Sequence, residues 1–156
     1  MLDDAHLARN WIEAAARPEV RAGLEAVYAA AASAIADRGP ACWASGRCCN
    51  FEKTGHLLYV TGLEAAYTVV NSRDRHAALS LPVLKGPGCP FQSGNLCGVH
   101  EIKPLGCRVY FCDRSAQQWQ NDLNERLLAE VRAIHDRHGV EYRYGEWRAM
   151  LAAFAT

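Results

Sequence analysis

The side chains best suited to chemistry in this sequence are thiols, and they are bunched. Cys42, Cys48 and Cys49 fall in CWASGRCC, and Cys89, Cys97, Cys107 and Cys112 fall in CPFQSGNLCGVHEIKPLGCRVYFC; the sequence has no others. Thiolate sulfur is polarizable and binds soft or borderline metals, and about four such ligands enclose a tetrahedral zinc or an iron-sulfur cluster. Neither segment alone makes a comfortable shell, since the first offers three thiols of which two are adjacent. A site shared between the two segments is therefore expected, and it would staple the fold as well as bind an ion. Cys107 and Cys112, five apart, would sit about 140° apart on a regular helix and do not share a site there unless the backbone breaks its regularity.

Two other uses of thiols compete. A free cysteine is a common buried small hydrophobe, and the vicinal Cys48-Cys49 pair supplies both the attacking and the resolving sulfur of a dithiol mechanism. An odd number of thiols cannot all pair within one chain. No run of apolar residues is long enough for a membrane span, and MLDDAHLARNWIEAAA has helical periodicity in place of a signal peptide's basic and apolar regions. These features point to the cytoplasm, where clustered cysteines more often hold metal or do redox work than form structural disulfides.

The elements that must position the thiols are mostly helical. Leu2, Ala5, Ala8, Trp11, Ile12 and Ala15 recur at helical spacing, and Pro18 opens a second helix whose stripe is Val20, Leu24, Val27, Ala31 and Ile35, ended by Gly39-Pro40. After the first cysteine segment, HLLYVT reads as a short strand. Thr61-Gly-Leu-Glu64 is a capping box opening a helix over 62–71. Ser93-Gly94-Asn95 reads as the tip of a hairpin carrying Cys89 and Cys97 on its two sides, and Pro104 opens a helical turn carrying Cys107. Ser115 is placed to cap a long helix with Trp119, Leu123, Leu127, Val131, Ile134 and His135 on its stripe and Gly139 as its stop. VEYRYG is an extended link to a last helix with Trp147, Met150, Leu151 and Phe154 facing inward.

Half of the 156 residues are hydrophobic and about a fifth are charged, with 17 basic against 17 acidic side chains. That composition suits one domain with its own core. The expected architecture is a mainly α, single small helical domain over 1–156, metal-stapled, with cysteine-bearing loops and a short β-hairpin: a helical part over 1–39, a cysteine-cluster core over 40–114 and C-terminal helices over 115–156. Zero net charge argues against general nucleic-acid binding.

The combination CWASGRCC, CPFQSGNLC and HEIKPLGCRVY resembles the YkgJ-like, or CxxCxxCC, cysteine-cluster family, small bacterial proteins described as a zinc- or iron-chelating domain. A similar pattern occurs in flagellin lysine N-methylase. The resemblance covers about Cys42 to Cys112 and implies metal chelation by Zn2+ or iron, including an iron-sulfur cluster, with Cys42, Cys48, Cys49, Cys89, Cys97, Cys107 and Cys112 as the metal ligands. One departure is plain: the family's motif places a cysteine where this chain has Ser45, whose hydroxyl is a poor ligand for soft metals. The shell would then be weakened, opened to an outside ligand, or completed elsewhere, for instance by His100. His6, His56, His76, His135 and His138 lack ligand-like spacing to the cysteines.

Arg47 and Arg108, each next to a cysteine, are placed to offset the negative charge of several thiolates, and Phe91, Tyr110 and Phe111 to shield the site from water. Three functions follow. One is a metal-binding protein whose ion or cluster is structural or transfers electrons or metal. Another is an enzyme, either a thiol-redox enzyme using Cys48-Cys49 or a metalloenzyme with an open position at Ser45. The third is a metal-stapled module for a protein partner, with no nucleic acid and no membrane. The sequence has no phosphate loop, dinucleotide fingerprint or nucleophile elbow.

Overall fold

The computed structural model describes residues 3–38, 58–72, 79, 84, 89–93, 96–97, 101–109 and 117–155, with the backbone alone at 92–93 and 96–97. The segments that carry Cys42, Cys48, Cys49 and Cys112, together with Ser45, Arg47, His100, Tyr110, Phe111 and the expected cap Ser115, lie outside the described residues. Within them the architecture is mainly helical, with two short antiparallel ladders.

Helix α1 (Asp4–Ala15) begins where the Asp3 carboxylate accepts the N–H of His6 at 2.7 Å. Its inward face is Leu7, Ala8, Trp11, Ala14 and Ala15. Helix α2 (Pro18–Arg38) starts on its proline and buries Val20, Leu24, Val27 and Ala31 of the expected stripe together with Tyr28, while Ile35 is half-buried. Helix α3 (Gly62–Asn71) has the anticipated capping box: Thr61 Oγ1 accepts the Glu64 N–H at 3.3 Å and the Glu64 carboxylate accepts the Thr61 N–H at 3.2 Å. Gly62 at the start of α3 is packed under α1, and a Cβ there would overlap the Trp11 indole.

Helix α4 is the short turn Leu105–Val109, following Pro104 as expected. Helix α5 spans Gln117–Arg137. Its buried line is Gln120, Leu123, Leu127, Val131, Ile134 and His135. It stops at Gly139, whose φ of +64° turns the chain in a conformation that a side chain disfavours. Helix α6 (Trp147–Ala152) is capped by Glu146 and runs into a 3-10 turn at Ala153–Ala155.

Strand β1 (Tyr59–Thr61) pairs with β4 (Tyr144–Glu146), Tyr59 opposite Glu146 and Thr61 opposite Tyr144. The extended link VEYRYG therefore closes a ladder with the strand that precedes α3, a pairing across more than eighty positions that no local pattern announces. The second ladder is the expected hairpin, β2 (Gln92–Ser93) with β3 (Leu96–Cys97), in the register Gln92–Cys97 and Ser93–Leu96. One cluster of buried side chains runs from Leu7 and Trp11 through Leu63, Leu105 and Leu127 to Trp147 and Leu151. Among the described residues no helix is long and apolar enough to cross a membrane.

Candidate metal centre

Cys107 lies in the middle of α4, half-buried, with its N–H bonded to the Pro104 carbonyl at 3.1 Å. A five-residue helix cannot hold itself in place. Neighbouring elements hold it. The carboxylate of Glu64 accepts the Leu105 N–H at 2.7 Å, meeting a free amide at the head of α4, and Thr68 donates its hydroxyl to the Ile102 carbonyl at 2.7 Å. Arg108 reaches back along the chain, with Nε donating to the Lys103 carbonyl at 2.8 Å and Nη2 to the Glu101 carbonyl at 3.0 Å. Its guanidinium carbon sits 3.9 Å from the centre of the Tyr28 ring. The arginine expected to face thiolates thus binds the approach to α4 onto α2.

Glu64 is fully buried and accepts four hydrogen bonds: Leu105 N–H and the Tyr28 hydroxyl, at 3.3 Å, on one oxygen, and the Thr61 N–H and hydroxyl, the latter at 3.0 Å, on the other. Burial pushes its pKa up, opposed by the bonds from Leu105, Thr61 and Tyr28. Burial, then the Glu64 charge, push the Tyr28 hydroxyl well above its ordinary range. This cluster anchors the Cys107 helix to the head of α3.

Cys89 lies just before β2, 9% exposed. The indole N–H of Trp147, at the start of α6, donates to its sulfur at 3.3 Å, and Phe91 packs tilted against the same indole with ring centres 5.9 Å apart. Phe91 is buried against the indole that reaches the sulfur.

The two described sulfur environments meet at Leu58. Its carbonyl accepts the backbone N–H of Trp147 at 2.8 Å, and its side chain lies against Gly106, where a Cβ would come within 2.6 Å of Leu58 Cδ1. Trp147 holds Cys89, and Gly106 adjoins Cys107. Cys97 stands across the hairpin ladder from Gln92. Among the described residues no group of three or more His, Cys, Asp or Glu side chains is gathered closely enough to hold an ion. The donor chemistry of Cys89 and Cys107 suits zinc or iron, and the N–H aimed at Cys89 is the kind of contact that steadies a metal-bound thiolate.

Of the histidines without ligand-like spacing to the cysteines, His6, His135 and His138 are described, and His56 and His76 lie outside the described residues. His135 is fully buried, with Nδ1 donating at 3.0 Å to the Glu141 carbonyl, which also accepts the Trp11 indole N–H at 2.9 Å. Because a carbonyl only accepts, the proton lies on Nδ1, and Nε2 faces the interior without a partner among the described residues. His138 lines a cleft of about 210 Å3 with Asn10, Trp11, Arg17 and Glu141, remote in sequence from both cysteine segments. Sequence reasoning missed three residues: Trp147, taken only as an inward helix position; Leu58; and Glu64, read as a cap without its second bond to Leu105. The one available hint was chemical, since a buried indole N–H needs an acceptor.

No family model matches the chain, and no curated protein or solved structure is similar enough to be matched to it.

Proposed function

We propose that this chain is a metal-binding cysteine-cluster protein, holding zinc, iron or an iron-sulfur cluster through thiolates drawn from its two cysteine segments. The ligands in this reading are Cys42, Cys48, Cys49, Cys89, Cys97 and Cys107, with Cys112 beside them. The ion or cluster ties the loops into the helical frame and serves structure or the transfer of electrons or metal in the reducing cytoplasm.

One observation carries the reading. Trp147, which donates to Cys89, and Gly106, which precedes Cys107, both contact Leu58. The elements that carry Cys89 and Cys107 thus pack on one residue, which supports a site that draws on both. The resemblance to the CxxCxxCC family supports the same chemistry.

Metal analysis and an absorption spectrum of protein purified without oxygen test it. The expected result is zinc or iron near stoichiometry with the chain, with visible charge-transfer absorption if the metal is an iron-sulfur cluster. Cys89→Ser and Cys107→Ser should each lower metal content and melting temperature together. Wild-type protein with no bound metal, or both variants with unchanged metal content, overturns the reading.

A further inference from the structure

The contact between Trp147 and Cys89 carries a consequence for how the proposed centre is tuned. An indole N–H is a donor only, and a buried one needs an acceptor. Here the acceptor is sulfur, at 3.3 Å, with Trp147 fully buried. A neutral thiol is a weak acceptor, whereas a thiolate accepts with charge assistance. A thiolate in so apolar a setting is costly unless a cation neutralises it, and metal coordination deprotonates a thiol outright. The backbone of Trp147 is fixed as well, through its N–H to the Leu58 carbonyl at 2.8 Å, and Phe91 packs tilted against its ring, so the direction of the indole N–H is set by contacts independent of the sulfur.

We propose that Trp147 is a positioning residue of the metal centre: its indole N–H donates to the Cys89 thiolate when that sulfur is bound to metal, orienting the ligand and drawing charge from it. The proposal rests on the metal-binding reading above. Its physical content is specific. Withdrawing electron density from sulfur raises the energy of the sulfur-to-metal charge-transfer transition, and holding the ligand in place strengthens binding. Outer donors of this kind typically contribute about 10- to 100-fold in metal affinity.

The probe is Co2+ titrated without oxygen into the reduced, metal-free full chain, with the charge-transfer bands followed in the near ultraviolet. Trp147→Phe keeps an aromatic ring against Phe91 and removes the N–H. The expected result is charge-transfer bands moved to lower energy and Co2+ affinity weakened about 10- to 100-fold. Phe91→Leu is the control, because it disturbs the same packing and removes no donor; it should lower melting temperature and leave the band energy in place.

Bands and affinity unchanged in Trp147→Phe would overturn the proposal and leave the metal-binding reading standing. Equal band shifts in both variants would overturn it too, by assigning the effect to packing. Wild-type protein giving no charge-transfer band at all would sink the metal-binding reading and this one with it. Should Trp147→Phe not fold, Cd2+ loading of 15N-labelled wild-type protein gives the answer directly. The Trp147 indole proton should move downfield on loading, and an unmoved resonance overturns the proposal.

Discussion

The carboxylate of Glu64 accepts the backbone N–H of Leu105 at 2.7 Å, across 41 positions of sequence, so the residue that caps α3 also holds the head of the helix that bears Cys107. Both of its oxygens are occupied by a backbone N–H, one from Leu105 and one from Thr61. Glu64→Gln is nearly isosteric and cannot satisfy both, because whichever way the amide is turned its NH2 faces a backbone donor. Leaving a buried donor unmet costs about 1–3 kcal/mol. Urea denaturation should show a loss of that size, and an unchanged midpoint would contradict the arrangement.

Two glycines should respond differently to alanine. A Cβ on Gly62 overlaps the Trp11 ring, which is itself pinned by its bond to the Glu141 carbonyl and by packing against Phe154, so the ring has nowhere to go. A Cβ on Gly106 meets the end of the Leu58 side chain at 2.6 Å, and a methyl can swing aside more readily than an indole. Overpacking of a core costs roughly 1–3 kcal/mol. Gly62→Ala should reach or exceed the top of that range and Gly106→Ala should fall near its lower end, as read from thermal denaturation of the two variants side by side.

Arg108 joins three pieces of chain: the Tyr28 ring of α2, the carbonyls of Glu101 and Lys103, and its own helix α4. Arg108→Ala should free this junction at a cost of about 1.5–3 kcal/mol, the range for a hydrogen bond that involves a charged group. Arg108→Lys should recover little, since an ammonium has no planar fork to stack on Tyr28 while reaching both carbonyls. Hydrogen exchange over residues 101–109 checks this: amides there should exchange faster in both variants, with α1 little changed.

Acid should weaken the fold through His135. Burial lowers its pKa, so the folded state resists the proton that the unfolded chain accepts near its ordinary value of about 6.5. Its contribution is complete above that value and is lost as pH falls through the depressed folded-state pKa. Glu64 acts in the opposite sense: its folded pKa is raised, so its share is full below the ordinary carboxyl range and is lost as pH rises through the raised value. Comparing wild type with His135→Leu separates the two. Between about pH 7.5 and about pH 5 wild type should lose more melting temperature than the variant, and parallel curves would show that His135 is not the group responsible.

Much of the frame is legible in the residues because it is local. Pro18, the Thr61–Glu64 box, the stripe from Leu123 to Ile134 and the stop at Gly139 each act within a turn or two of helix, and each is found where its pattern puts it. The hairpin around Ser93 is equally local. The pairing of Tyr59–Thr61 with Tyr144–Glu146 is not, because three-residue strands carry too little alternation to reveal a distant partner. The same limit hid the surroundings of the thiols. Spacing marked Cys89 and Cys107 as candidates; that an indole 58 positions later would donate to one of them depends on tertiary packing alone.

That separation bears on the order of events during synthesis. Both cysteine segments are synthesised before Trp147, and neither the Leu58 carbonyl nor the Cys89 sulfur can meet that partner until α6 has emerged and docked. A nascent chain that stops short of Trp147 therefore lacks the indole donor that faces the Cys89 sulfur in the fold.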